Sequence, residues 1–271
     1  MVALILLFAA GSATGDGDWD VQVDAGALAG NTYLGSDEYF VTPLPAIRAS
    51  RTTKNTTWFI SLPLEGVGVS HRNPASGLTT SLAMNFGGSR GPEEYSVLGF
   101  PVEHSDRIRT LLAGSSEVTT PVVFEAKLEY PVPFGSLGTS LGYPPISIDS
   151  RQTQITDDVR HGFLLSLQHK AIIPVTRKLV AGSVLALELM DGNYAEAWYS
   201  VSRETRHLAE YEAKAGAQDI QATLFASYQV TRKINLTLFY RHMLLLGDAA
   251  NCPYTLDESQ QSYLLRTSYS F

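Results

Sequence analysis

The sequence predicts an all-β protein: an antiparallel transmembrane β-barrel of about 12 strands, with about 10 as the alternative count, and with both termini on the periplasmic side. Three observations predict it. First, segment after segment alternates apolar and polar side chains over roughly 10 residues, the length that crosses the apolar layer as a tilted strand. Second, tight turns and long loops alternate along the chain, as they do when every tight turn lies on one side of a membrane. Third, the chain ends on a strand. Tyr263, Leu265, Thr267, Tyr269 and Phe271 share one parity, and Leu264, Arg266, Ser268 and Ser270 the other. Termini of soluble domains fray into water, whereas a closed barrel has to pair its last strand with its first.

Composition agrees. Charged residues are 17% of the 271, below the roughly 25% of soluble domains. Mean hydropathy is -0.01, too polar for a helical membrane protein but near the average of faces that alternate between lipid and lumen. The net charge of -7 excludes a nucleic-acid binder, which needs a basic surface. One cysteine, Cys252, excludes an internal disulfide framework and a Cys-based zinc site. Its setting, Asn251-Cys-Pro253, reads as a surface turn carrying an incidental small residue.

At the start, Val2 to Ala10 is a continuous apolar run, followed by small residues and then Asp16 and Asp18. The run is too short to span a bilayer and fits the core of a secretory signal, with cleavage expected near Ala13. Residues 1–13 are therefore expected to leave and 14–271 to form one barrel domain. No Lys or Arg precedes Arg48, which points to a misplaced start or a lost basic leader.

The elements follow in order. Trp19 to Ala27 alternate cleanly, and residues 39–50 form the next strand, weakened by Pro43 and Pro45. Trp58, Ile60, Leu62 and Leu64 oppose Thr57, Phe59, Ser61 and Pro63; after a turn at Asn73-Pro74, residues 78–86 alternate again. Residues 87–117 carry little periodicity outside Tyr95 to Val102. Val122, Phe124, Ala126, Leu128 and Tyr130 then face one way and Glu125, Lys127 and Glu129 the other. Strands follow at 137–143, 163–170, 179–190, 220–230 and 234–241. The loops between them are 147–160, 191–217 and 248–261, with Tyr194 to Val201 read as extended. Counted back from Phe271, one crossing is missing from an even number. It is placed at Tyr95 to Val102.

No residue qualifies as catalytic, cofactor-binding or metal-binding. The six histidines (His71, His104, His161, His169, His207 and His242) lack ligand spacing, and no nucleophile elbow, phosphate loop or His-Glu-x-x-His occurs. An outer-membrane lipid hydrolase would need a Ser, a His and an orienting polar group on the barrel wall, for which His161 and Ser166 are candidates. Glu125, Lys127, Glu129, Lys170 and Arg241 read instead as an ion-pair network filling a narrow lumen, because charge avoids the lipid face.

Several stretches together resemble the MipA/OmpV family of MltA-interacting outer-membrane proteins. They are Tyr33-Leu-Gly-Ser-Asp37 followed by Pro43 to Arg48, Tyr194 to Ser202, Glu210 to Gly216, and Tyr240 to Pro253 with Leu244-Leu-Leu-Gly-Asp-Ala-Ala250. The family usually has Ser-Pro where this chain has Cys252-Pro253. The terminal strand also resembles the signal, ending in Phe, by which barrel-insertion machinery recognises its clients. These resemblances imply a Gram-negative outer-membrane protein, exported through the periplasm, with no cofactor and no catalytic residues. The named family member joins a lytic transglycosylase to a penicillin-binding protein that makes peptidoglycan. Other members are surface or adhesion-related. The functions in view are thus a non-enzymatic scaffold or surface barrel, a narrow small-solute channel, and an outer-membrane hydrolase.

Overall fold

The computed structural model describes residues 17–98, 100–120, 122–149, 158–203, 205 and 207–271. The expected leader, residues 1–13, lies outside them. Strands β1 (Trp19–Asn31), β2 (Tyr39–Pro43), β3 (Ala46–Thr53), β4 (Thr56–Leu62), β5 (Gly66–Arg72) and β6 (Thr79–Phe86) come first. An excursion follows: β7 (Ser89–Arg90), β8 (Glu94–Val97), β9 (Phe100–Glu103), helix α1 (Asp106–Leu111) and β10 (Glu117–Thr119). Then come β11 (Val122–Val132), β12 (Gly135–Tyr143), β13 (Pro145–Asp149), β14 (Asp158–His161), β15 (Leu164–Pro174) and β16 (Leu179–Met190). The chain finishes with α2 (Gly192–Tyr199), β17 (Gly216–Gln229), β18 (Ile234–Leu245), α3 (Gly247–Asn251) and β19 (Ser259–Ser270).

Thirteen strands make one antiparallel sheet, and β1 pairs with β19 to close it. Both β2 and β3 pair with β1, its upper and lower halves respectively, so the two occupy one stave and the barrel has twelve. Closure matters because each unpaired backbone group in lipid costs several kcal/mol, roughly. The last strand runs from Ser262 opposite Gly30 to Ser270 opposite Gln22, and the Phe271 amide donates to the Val21 carbonyl at 3.1 Å. The first strand thus begins, and the last strand ends, at the same end of the barrel.

Side chains sort by parity as expected. Leu265 points outward and is 50% exposed, while Arg266 beside it is 6% exposed. The inverse would hold in a soluble sandwich. Outward residues such as Leu128, Leu185, Leu224 and Leu238 form an apolar band. Aromatics fringe it near the termini (Trp19, Trp58, Tyr130, Phe271) and at the far end (Tyr39, Phe124, Phe163, Tyr263). Such girdles mark the two membrane interfaces.

The tight turns share the terminal end, apart from the β4–β5 turn at residues 63–65, which lies at the other. Two of them repeat the tetrapeptide Val-Thr-Arg-Lys, at 175–178 and 230–233. In each the Thr hydroxyl oxygen accepts two backbone N–H bonds: Thr176 from Lys178 and Leu179, Thr231 from Lys233 and Ile234. At Asn73 the side-chain oxygen does the same for Ala75 and Ser76.

Three expectations are corrected. The twelfth crossing is β5 and not Tyr95 to Val102. Gly66 and Gly68 interrupt the alternation of Val67 and Val69, so periodicity alone passes over this strand. Residues 95–102 instead belong to the β8–β9 hairpin of a second sheet, ordered β14-β13-β10-β7-β8-β9. Tyr194 to Val201, expected as extended, is mostly helix α2, capped by Asp191, whose carboxylate accepts from the Tyr194 amide at 2.8 Å. Cys252 is not at the surface but buried, and its thiol donates to the Tyr199 carbonyl at 2.8 Å. Of the loop expected at 147–160, residues 150–157 lie outside the described residues. Its flanks form β13 and β14.

Candidate functional site

The second sheet turns the outer end of the barrel into a cap. Strands β7 and β10 continue the β6–β11 hairpin, and β13 and β14 continue β12 and β15. Between them the β8–β9 hairpin and α1 fold across the mouth. The excursion is moored to the loop after β1. Arg107 pairs with Asp37 and, at 3.1 Å, with Glu38, whose carboxylate also accepts from the Ser105 hydroxyl at 2.7 Å. Ser105 is at the same time the N-cap of α1.

Beneath the moorings Tyr33, Tyr95, Ile108, Leu112, Ile146, Tyr194, Trp198, Cys252 and Tyr254, all buried, belong to one apolar cluster. The core thus sits in the mouth, since in a barrel of this width the wall must turn its apolar side to lipid. Some polar groups inside are matched, while others, Trp198 Nε1 and Arg90 Nε among them, have no hydrogen-bond partner among the described residues. The Tyr33 hydroxyl donates to the Tyr254 carbonyl at 3.0 Å, and the Arg90 guanidinium lies 4.0 Å over the Tyr254 ring. His104 meets the Tyr33 ring edge to face at 5.6 Å. Burial pushes the Tyr95 phenol up to about 12 and the Cys252 thiol up to about 11, and holds the His104 imidazole below its ordinary value. Little space remains. A cavity of about 40 Å³ persists where Leu28, Tyr33, Tyr95, Arg241, Met243 and Gln260 meet.

Below the cap the lumen is charged. Glu129 lies 3.9 Å from Lys127 and 3.8 Å from Lys170 and accepts from the Ser136 hydroxyl at 2.7 Å. Glu125 accepts from the Asn85 amide at 3.0 Å. Arg48 pairs with Glu65 at 3.0 Å, and Arg266 with Asp24 at 3.5 Å. The network expected of Glu125, Lys127, Glu129 and Lys170 is therefore in the lumen. Arg241 stands higher, under the cap, facing the charges of Asp219 and Glu188. Asp219 also accepts from Gln218 at 2.9 Å and Gln221 at 3.3 Å. Sequence reasoning missed the Arg48–Glu65 and Asp24–Arg266 pairs. Their signal was present: each of the four falls on the inward parity of its strand or turn.

The two hydrolase candidates are not brought together as a catalytic pair. Ser166 is buried in β15 opposite Ser140 and Glu188, and its hydroxyl has no hydrogen-bond partner among the described residues. His161 is exposed at the end of β14, its ring stacked on Tyr143 at 5.3 Å. The remaining histidines scatter over wall and cap.

Comparison with known proteins agrees with this architecture. The family described as MltA-interacting protein MipA matches residues 23–271. No curated protein sequence matches the chain. Among solved structures, the COG4313 outer membrane channel from Pseudomonas putida F1 is similar with a TM-score of 0.51 at 12% identity, covering 98% of this chain and 100% of that one. The translocator domain of the autotransporter NalP from Neisseria meningitidis gives a TM-score of 0.47 at 13% identity, covering 95% and 90%. At such identities a likeness speaks for the fold alone. With the family match extending over nearly the whole described barrel, the chain belongs to the MltA-interacting protein MipA family and is an outer-membrane β-barrel protein.

Proposed function

We propose that this barrel is a non-enzymatic scaffold that holds peptidoglycan-remodelling enzymes at the inner face of the outer membrane. The residues after a cleaved leader, 14–271, would act as one unit. The observation that carries the reading is the filled mouth. Tyr95, Arg90 and Tyr254 occupy the outer end of the bore, and Gln218, Asp219 and Arg241 below them are buried. A bore occupied by its own chain leaves the outer surfaces to do the work. The family is described by its interaction with MltA, a lytic transglycosylase. A penicillin-binding protein would be the second partner. Both would meet the end carrying the termini and the tight turns, the one that faces the periplasm.

The test is retention of a purified lytic transglycosylase and a penicillin-binding protein on the detergent-solubilised barrel. Retention of either is expected; passage of both through the column would end the scaffold reading. A narrow channel is the second reading, favoured by the lower lumen. There the Lys127, Glu129 and Lys170 side chains keep about a quarter of their surface accessible, so water enters from the periplasmic end. Planar-bilayer recordings separate the two: the scaffold predicts no discrete conductance from the intact protein.

A further inference from the structure

The wall is not of even height. β3 pairs with β4 from Thr53–Thr56 only as far as Ile47–Leu62, and the chain then turns at Pro63 into β5. On the other side of that turn β6 runs on to Phe86. The β2–β3 stave also runs on, up to Tyr39. Yet among the described residues β2 pairs with β1 alone, leaving its other edge without a strand. The result is a break in the barrel above the β4–β5 hairpin.

A cavity of about 500 Å³ occupies the break, within the roughly 300–1,000 Å³ of small-molecule sites. Its lining comes from both sides of the wall. Val23, Ile47 and Phe86 belong to the exposed outward face, while Ala46 and Asp24 are buried on the lumen side. Asp24 is already engaged by Gln22 at 2.7 Å and by Arg266, so the surface left for a ligand is apolar. The inner boundary includes Leu98, at the tip of the β8–β9 hairpin, with a backbone φ of 53°.

The depth of the break decides its occupant. Val41 on the free edge is 76% exposed and apolar, and the outward lining residues Val23, Ile47 and Phe86 are apolar and exposed like the lipid-facing band. Backbone edges are tolerated at lipid depth only when something covers them. Proline lowers the number of donors to be covered, and Pro43, Pro45 and Pro63 border the gap. Water is a poor filling for a site lined this way. Acyl chains are present at that depth in excess and match the lining.

We propose that this break is a lateral site for the acyl chain of a membrane lipid, with Leu98 of the cap as its stopper. The experiment is photocrosslinking of the full mature protein in nanodiscs containing a phospholipid with a diazirine on its acyl chain, with labelled residues mapped by mass spectrometry. Labelling of Ala46 and Leu98, which do not belong to the lipid-facing band, is expected. Ala46→Phe, which fills the cavity, should cut labelling of Leu98 by about tenfold. Ala226→Phe, on the lipid face elsewhere on the barrel, should leave it unchanged. Each variant is first checked for the heat-modifiable mobility of a folded barrel, and Leu62→Trp replaces Ala46→Phe if that variant fails. Labels confined to outward residues such as Leu224 and Leu238 would overturn the proposal. Leu98 labelling that the filling variant does not reduce would overturn it too.

Discussion

Cys252 and His104 illustrate how far a residue's role depends on what the fold brings to it. Flanked by Asn251 and Pro253, Cys252 has the local chemistry of a surface turn. It is buried because Tyr199, far back in the chain, lays a carbonyl against its thiol. His104 carries no signal at all in its neighbours, yet it sits in the cap against Tyr33, with Glu38, Arg90 and Arg109 the nearest charges. Desolvation favours its neutral form, so its folded value lies below the ordinary 6.5. The folded cap therefore binds the proton less readily than the open one. Its stability is complete above about pH 6.5 and declines as pH falls toward the depressed value. Amide exchange in residues 89–119, corrected for the intrinsic rate, should accelerate between about pH 7.5 and pH 5.5. His104→Gln should flatten that dependence. An unchanged slope in the variant would place the titration elsewhere.

Elements were legible where the period of two was uninterrupted. From β11 to β19 the wall strands run to 9 residues or more, and outside β16, whose two faces are both fairly apolar, their alternation names the inward set correctly, including Glu125, Arg241 and Arg266. β5 was lost because glycine has no side chain to assign to a face. Its glycines are there for space. Gly66 has φ +71°, and a Cβ there would run into the backbone of Met84 on β6. Gly66→Val should therefore destabilise the barrel by about 1–3 kcal/mol, read from the urea midpoint of unfolding. The same substitution at Gly192, where nothing lies within 4 Å, should cost about 1 kcal/mol or less. Equal effects at the two positions would show that the close strand contact at Gly66 carries no energy. Helix α2 was hidden for a different reason. Its buried set, Tyr194, Ala195, Ala197, Trp198 and Tyr199, is apolar on nearly every side. Such a segment shows neither a helical nor a strand period.

At the scale of the whole molecule, cap and lumen together decide whether solutes pass. Removing residues 89–119 and joining the ends with a short Gly-Ser linker should leave the twelve staves paired, because β7 to β10 contribute nothing to the main sheet. It should also expose the charged lumen to both sides. Discrete conductance is expected from that deletion and not from the intact chain. An open bore of this size lined by Lys127, Glu129 and Lys170 should respond to salt. A silent deletion would mean that the cap formed by α2, α3 and the Cys252 loop closes the mouth without help.

The sequence by itself determined the barrel: its class, the side on which the residues of its uninterrupted strands face, the end at which the termini lie and the lumenal charges Glu125, Lys127, Glu129 and Lys170. All of these follow from a two-residue repeat and from the cost of putting a charge or an unpaired amide into lipid, and both are local properties. Where the long excursion goes was decided only in three dimensions. Whether the excursion from β7 to β10 stands out in water or folds back over the mouth depends on Arg107 finding Asp37 and Glu38, and on Arg90 finding Tyr254. Those partners lie far apart along the chain, and no period connects them. The break above β4–β5 has the same origin, since a gap in a wall belongs to the strands on either side of it and to neither segment alone.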